Sequence, residues 1–284
     1  MATTSAPYGL KPVRMIGNRY VGGALPTNQY RISQNYSGVI PNGSPVVLTA
    51  PVTYTTSNAC TVTYSGQTVT LTFASAVTTL YAGMPITLSG ITGATAVNGT
   101  WVLATGAAGT VFTFVVPAAT TITGTVAGTS VVVGGAGYLS LPTNGGFNSL
   151  GDRYIGVLVG AQYTNAQNGQ PQWDQYYPGS VNSTGMIGYV VDDPDAVFQI
   201  QAGTINFDAL GAVGTSFGVT IPATPYNLLT KDSTISLANG TATSSTSPYK
   251  VVDIAQTPDN VNAVGYVDVY VVAQQAAHHF RKAL

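Results

Sequence analysis

The residues able to do chemistry in this 284-residue chain are few and poorly placed for it. A Ser-His-Asp arrangement needs an imidazole held in a folded site, yet the only imidazoles, His278 and His279, lie side by side close to the C-terminal end. Neighbouring histidines on a helix point to different sides, which argues against a shared metal ion. The sole thiol, Cys60, lies in a region with no cation to lower its pKa, so it reads as an inert buried thiol, and a single cysteine excludes an intramolecular disulfide framework. Asp192-Asp193-Pro194-Asp195 is the densest charge cluster and could offer hard oxygen ligands to calcium. The better reading is a turn whose carboxylates cap local N–H groups. Asp152 and Asp174 could be a glycosidase pair, but nothing in the sequence fixes their separation. Trp173, Tyr176 and Tyr177 lie next to Asp174, where an ordered loop packed on a sheet or on a neighbouring subunit explains them better than a sugar platform does. No phosphate-loop, dinucleotide or zinc spacing occurs. The expectation is a non-enzyme with no cofactor and no metal.

The elements that must carry these residues are strands. Charged residues make up 7% of the chain, against about 25% in an ordinary soluble domain. All ten acidic residues are Asp, and residues 32–151 carry neither a charge nor a histidine. Glu, Lys and Arg normally coat the solvent face of a helix, so long amphipathic helices are not expected. Instead, Thr68-Val69-Thr70-Leu71-Thr72-Phe73 alternates threonine with apolar residues, the period of a half-buried strand. Similar runs occur at residues 45–49, 85–88, 101–104, 111–116, 154–159, 186–191, 197–201, 250–254 and 266–272. Turn signals such as Asn42-Gly43, Ser65-Gly66, Asn98-Gly99, Asn168-Gly169 and Asn239-Gly240 separate them. Helix is expected only near residues 207–210 and in the tail, 274–284.

Composition changes twice. Residues 51–135 are almost wholly Thr, Ala, Val, Gly and Ser, whereas both flanks carry the charges. The flanks, Pro45-Val46-Val47-Leu48-Thr49 and Tyr138-Leu139-Ser140-Leu141, would pair as a hairpin if the stretch between them were removed. The fold class expected is therefore all-β, a β-sandwich or barrel-like body with a small β-domain inserted at a hairpin tip. The body would be residues 1–50 and 136–284, and the insert residues 51–135. The alternative is one continuous large sandwich whose middle strands lack charge. A chain of net charge −1 is a poor nucleic-acid binder, and no apolar run reaches the roughly 18 residues of a membrane helix. The start of the chain lacks the basic-then-apolar pattern of a secretory signal, so synthesis in a cytoplasm without export as a preprotein is expected.

Several stretches of the body resemble the capsid decoration, or cement, proteins of tailed bacteriophages. The opening Ala6-Pro7-Tyr8-Gly9-Leu10-Lys11-Pro12-Val13 is similar to theirs, as is Asn42-Gly43-Ser44-Pro45-Val46-Val47. The longer matches are Ile155-Gly156-Val157-Leu158-Val159-Gly160-Ala161-Gln162-Tyr163-Thr164, and then Gly169-Gln170-Pro171-Gln172 with Tyr176-Tyr177-Pro178. They continue with Tyr189-Val190-Val191-Asp192-Asp193-Pro194-Asp195-Ala196-Val197-Phe198-Gln199-Ile200-Gln201 and Tyr249-Lys250-Val251-Val252-Asp253-Ile254. In the insert, Gly83-Met84-Pro85-Ile86-Thr87-Leu88, Asn98-Gly99-Thr100-Trp101 and Val111-Phe112-Thr113-Phe114 resemble a small β-module of phage fibre and virion proteins. The resemblance implies a homotrimer on the outer surface of the capsid, with the major capsid protein as partner, a virion location and no catalytic residues. Family members usually have a short hairpin where this chain has its insert, so the resemblance assigns the insert no role.

The distribution of charge agrees with such a role. Lys11, Arg14, Arg19 and Arg31 are the only charges before residue 152, whereas ten Asp between Asp152 and Asp268 face only Arg153, Lys231 and Lys250. Residues 1–23 are expected to form an extended arm, disordered in the isolated chain, that lies in a partner's groove through Tyr8, Lys11, Arg14 and Arg19. Its removal is expected to spare folding. Trp173, Tyr176 and Tyr177 complete the expected partner-binding set. The competing function is a tail-fibre or receptor-binding protein whose insert binds host surface glycans.

Overall fold

The computed structural model describes residues 5–16, 25–34, 36–49, 52–55, 60–73, 76–77, 80–90, 95–105, 109–117, 131–134, 137–142, 154–165, 167–183, 185–203, 213–238, 247–255 and 266–274. Among these residues the chain is all-β, with one 3-10 turn at Thr95–Val97 and no α-helix. The strands begin with β1 (Lys11–Met15), β2 (Asn28–Arg31), β3 (Pro45–Leu48), β4 (Val52–Thr55), β5 (Cys60–Ser65), β6 (Thr68–Phe73) and β7 (Pro85–Ser89). They continue with β8 (Gly99–Thr105), β9 (Val111–Val115), β10 (Val131–Gly134), β11 (Leu139–Ser140), β12 (Tyr154–Thr164), β13 (Pro171–Asp174) and β14 (Ile187–Val191). The last six are β15 (Ala196–Gln201), β16 (Ser216–Phe217), β17 (Val219–Thr220), β18 (Ser236–Leu237), β19 (Tyr249–Ile254) and β20 (Asp268–Ala273).

The body consists of two packed layers and a small β17–β18 ladder. One layer is an antiparallel sheet in the order β1-β15-β20-β19-β16. The other runs β11-β3-β12-β14-β2, with β13 pairing the second half of β12. A parallel bridge from Ile32 to Leu139 carries the end of β2 back to β11, so this sheet curls into a barrel-like layer. Its central strand, β12, is covered on both faces. Tyr154, Val157 and Val191 pack against Phe198, Ile200, Val251, Val269 and Val271 of the first sheet. Ile155, Leu158 and Val190 point the other way, into a second cluster with Ile40, Val46, Tyr177 and Met186. Hence the run Tyr154-Ile155-Gly156-Val157-Leu158 is buried without alternation, as in any strand that faces water on neither side.

The seven-stranded sheet, β4-β10-β7-β8-β9-β6-β5, draws every strand from residues 52–134. β8 pairs β7 along its first half and β9 along its second, and a register shift between Leu103 and Thr105 bends the sheet there. Val69, Leu71, Phe73, Ile86, Leu88, Leu103, Phe112 and Phe114 close a hydrophobic cluster inside the bend. Phe73 meets Phe112 edge-on at 5.7 Å, and Trp101 stacks on Phe114 at 5.5 Å. The Trp101 indole N–H donates to the Val97 carbonyl (2.8 Å), so this tryptophan is part of the core. The domain is mounted at a hairpin tip. β3 and β11 pair Leu48 with Leu139 and Val47 with Ser140, and the Thr49 N–H donates to the Tyr138 carbonyl (2.8 Å).

The N-terminal segment corrects an expectation. Residues 5–16 do not project as an arm for a partner's groove, because β1 is the edge strand of the chain's own sheet, antiparallel to β15. Leu10 is fully buried in the core and its N–H donates to the Gly43 carbonyl (2.8 Å). Gly9, at φ +76°, has Ser233 and the Gly43 carbonyl so close that a Cβ would lie 2.5 Å and 2.7 Å from them. The extended backbone favoured before Pro7 and Pro12 is thus captured by the open edge of β15 within the same molecule. Arg19 and the helices expected at 207–210 and beyond Gln274 lie outside the described residues.

Candidate functional site

Two ordered surfaces gather the side chains suited to a partner. The first lies along β1. Lys11, Gln199 and Tyr270 stand directly opposite one another across β1, β15 and β20, and so share the outer face of the sheet. The Lys11 ammonium sits 4.2 Å above the Tyr8 ring, and the Arg14 guanidinium lies 5.6 Å from the Tyr270 ring. Burial, and next the Asp268 carboxylate beside it, push the Tyr8 hydroxyl well above the ordinary tyrosine range. Gln199 Nε2 donates to Asp268 Oδ2 (3.2 Å), and the Ala6 N–H donates to Gln201 Oε1 (2.9 Å). Both cations are exposed but rest on aromatic faces, which fixes where the positive charge is presented.

The second surface crosses the barrel-like layer. Trp173 on β13 faces Gln162 on β12, Gln162 faces Ile187 on β14, and Ile187 faces Arg31 on β2. The indole is 56% exposed. It lies over Gly160, where a Cβ would come within 2.9 Å of the ring, so only glycine lets the ring lie flat on the strand. Tyr189, opposite Gly160, donates its hydroxyl to Gln162 Oε1 (2.7 Å). Arg31, Gln162, Tyr189 and Tyr270 were not singled out from the sequence. Arg31 was visible as a charge, but its place beside Trp173 depends on three strand pairings that no local pattern encodes.

Tyr176 is half-buried. Tyr177 is no partner-binding residue, because it is fully buried and bridges Ile40. Its hydroxyl donates to the Tyr36 carbonyl (3.0 Å) and accepts the Val181 N–H (3.3 Å), and burial pushes its pKa up to about 12. Its ring packs 6.0 Å from Tyr36, which in turn meets Tyr81 of the inserted domain edge-on at 6.2 Å.

Three of the described acidic residues, Asp174, Asp192 and Asp193, have structural work. Asp192 accepts both Asn28 Nδ2 contacts (2.8 and 3.0 Å) and the Tyr30 hydroxyl (2.6 Å), which fastens β2 onto β14. Asp193 Oδ1 accepts the Asp195 N–H (2.8 Å), and the Asp193 carbonyl accepts the Ala196 N–H (3.0 Å), which together form a capped turn. Asp174 accepts the Tyr163 hydroxyl and Gln172 Nε2 (3.0 Å for the latter). Among the described residues no group of three or more His, Cys, Asp or Glu side chains converges to hold a metal ion. Asp152, His278, His279 and the Cys60 side chain lie outside the described residues. A cavity of about 400 Å³ separates the end of β2 from the inserted domain, between Arg31 and Gln34 on one side and Gly83 and Val102 on the other.

No protein-family model matches the chain, and no curated protein or solved structure matches it.

Proposed function

We propose that the protein is a non-enzymatic structural component of a tailed-phage virion that binds the outer surface of the capsid shell and reinforces or ornaments the head. Its partners are the major capsid protein and further copies of itself, in a homotrimer. The reading begins from the resemblance of the body, whose longest matching stretches occupy β12, the β14–β15 turn and β19. The observation that carries it is the presentation of side chains. Trp173, Arg31, Lys11 and Arg14 are exposed yet held in fixed places by strand register and aromatic contacts, as suits a surface that docks on a large, rigid partner. Positive charge at β1 suits an acidic surface, and pairing near water makes such attachment sensitive to salt.

The test is rebinding to heads stripped of the protein. Wild type is expected to co-sediment with tailless heads, and Trp173→Ala or the double change Lys11→Ser, Arg14→Ser to weaken it, the latter mainly at low salt. A second reading, a receptor-binding or tail-fibre protein that grips host glycans through the insert, draws on the outward face of the seven-stranded sheet. That face carries Thr87 and Thr100 with the exposed Val102, Val111 and Val115, and no charge. Fractionation with tails instead of heads would favour it and overturn the first.

A further inference from the structure

Leu228 and Leu229 are 70% and 92% exposed, although they are adjacent and lie in an ordered loop. Single leucines on a surface need no explanation, but an adjacent pair held out by its own hydrogen bonds does. Asn227 organises the loop. Its Oδ1 accepts the Leu229 N–H (2.8 Å), its carbonyl accepts the Lys231 N–H (2.9 Å), and its own N–H donates to the Asp232 carbonyl (2.9 Å). Thr234 N–H to Pro225 carbonyl (2.9 Å) and Ser233 N–H to Asn42 carbonyl (2.9 Å) clamp the base. Lys231 rests 5.0 Å from the Tyr226 ring. The loop therefore has no freedom to fold its leucines back onto the body, and it ends in a small apolar knob flanked by Lys231 and Asp232.

The same chain carries a matching hollow. Ile16, Pro194, Val272 and Ala273 line a cavity of about 420 Å³ whose rim holds Asp195 and Lys250. Ile16 is 49% exposed there. The knob has a cation and a carboxylate beside its leucines, and the hollow has a carboxylate and a cation beside its apolar floor. The base of the loop stands at the start of β1, where the Gly9 N–H meets the Ile235 carbonyl (3.2 Å), and the hollow lies just past the end of β1 at Ile16. Seven residues of extended chain separate the loop's base from the hollow by roughly 20 Å, and within one molecule the clamped loop leaves both its leucines and Ile16 exposed.

We propose that the Leu228-Leu229 loop of one copy inserts into the Ile16–Pro194–Val272–Ala273 hollow of a second copy, a head-to-tail contact. Such a contact uses two different patches and closes into a ring when its rotation permits. It gives the homotrimer reading a specific surface, but it stands apart from binding to heads. Failure to bind heads would overturn the function proposed above and leave this contact untouched.

The test uses the full chain and sedimentation velocity at concentrations up to about 100 µM. Leu228→Ser with Leu229→Ser removes the knob, and Ile16→Asp spoils the hollow. Both sites are exposed, and circular dichroism confirms that each variant is folded. Wild type is expected to self-associate, and each variant alone to run as a monomer. Mixing the two variants is expected to restore a 1:1 complex and nothing larger, because the intact knob of one enters the intact hollow of the other. A monomeric wild type, variants that associate as wild type does, or a mixture that stays monomeric would each overturn the proposal. So would leucines needed only for co-sedimentation with heads, which would assign the knob to the capsid.

Discussion

The burial of Tyr177 turns a residue that composition assigns to an interface into a relay between backbone segments. Its hydroxyl satisfies the Tyr36 carbonyl and the Val181 N–H, and a buried group left unpaired costs about 1–3 kcal/mol. Tyr177→Phe is expected to lower stability by about 1–2 kcal/mol in urea denaturation at neutral pH. It should also change the alkaline limb. Burial raises the folded pKa to about 12, above the value of about 10 for an unfolded tyrosine. The neutral hydroxyl therefore contributes its stability fully below pH 10, and that contribution is lost as the pH climbs from 10 through 12. Tyr154 and Tyr249, a fully buried edge-on pair at 5.6 Å, are shifted in the same direction by burial and add to the slope. The phenylalanine variant is expected to lose stability less steeply over that window, and a slope equal to that of wild type would show that Tyr177 does not report on it. At Gly160 the contact runs the other way. Gly160→Ala pushes on the Trp173 ring and is expected to weaken the proposed head binding just as Trp173→Ala is, and binding unchanged by either would remove the indole from the proposed docking surface.

Among the elements, β1 has the most direct consequence. Leu10 leads into it and is fully buried, so Leu10→Ala is expected to cost about 2–5 kcal/mol by chemical denaturation. Deleting residues 1–16 should do worse, since it also bares the edge of β15 to other chains, and the shortened protein is expected to aggregate. A soluble, cooperatively folding deletion would restore the view of the segment as a free arm. The same strand shows what the sequence could and could not reveal. β6 was legible because Val69, Leu71 and Phe73 are buried and the threonines between them are not. The hairpin flanks β3 and β11 were legible because their apolar runs pair in register. By contrast Asn28-Gln29-Tyr30-Arg31 carries no apolar alternation, and β2 is held instead by Asp192 receiving Asn28 and Tyr30 from a distant part of the chain. β13 was read as a loop since it is a four-residue edge. The row from Trp173 to Arg31 was invisible for a related reason. Its register follows a bulge between Leu158 and Gly160, and a shift of one residue would send those side chains to the other face.

At the scale of the whole molecule, the body and the inserted domain each close their own hydrophobic cluster, and two chain crossings join them. The junction is small. Tyr81 packs edge-on against Tyr36, and the Tyr138 hydroxyl reaches the Gly83 carbonyl at 3.4 Å. The crossing points are already held as a hairpin, because Thr49 N–H donates to the Tyr138 carbonyl and Tyr138 N–H to Thr49 Oγ1 (3.0 Å). Replacing residues 50–137 by Asn-Gly keeps Thr49 and Tyr138 as the flanking pair of a two-residue turn, whose positive φ angles those residues accept. The shortened chain is expected to keep β-type circular dichroism and one cooperative unfolding transition. Its cost should be modest, about 1–3 kcal/mol, since what is lost is the covering of Tyr36 and little of either core. Loss of the transition would mean that the two clusters form one folding unit. If the transition survives, the same protein separates the two functional readings. A body that still rebinds stripped heads while particles carrying it adsorb normally to host cells places attachment in the body. Normal head binding with failed adsorption gives the inserted domain the task of gripping the host.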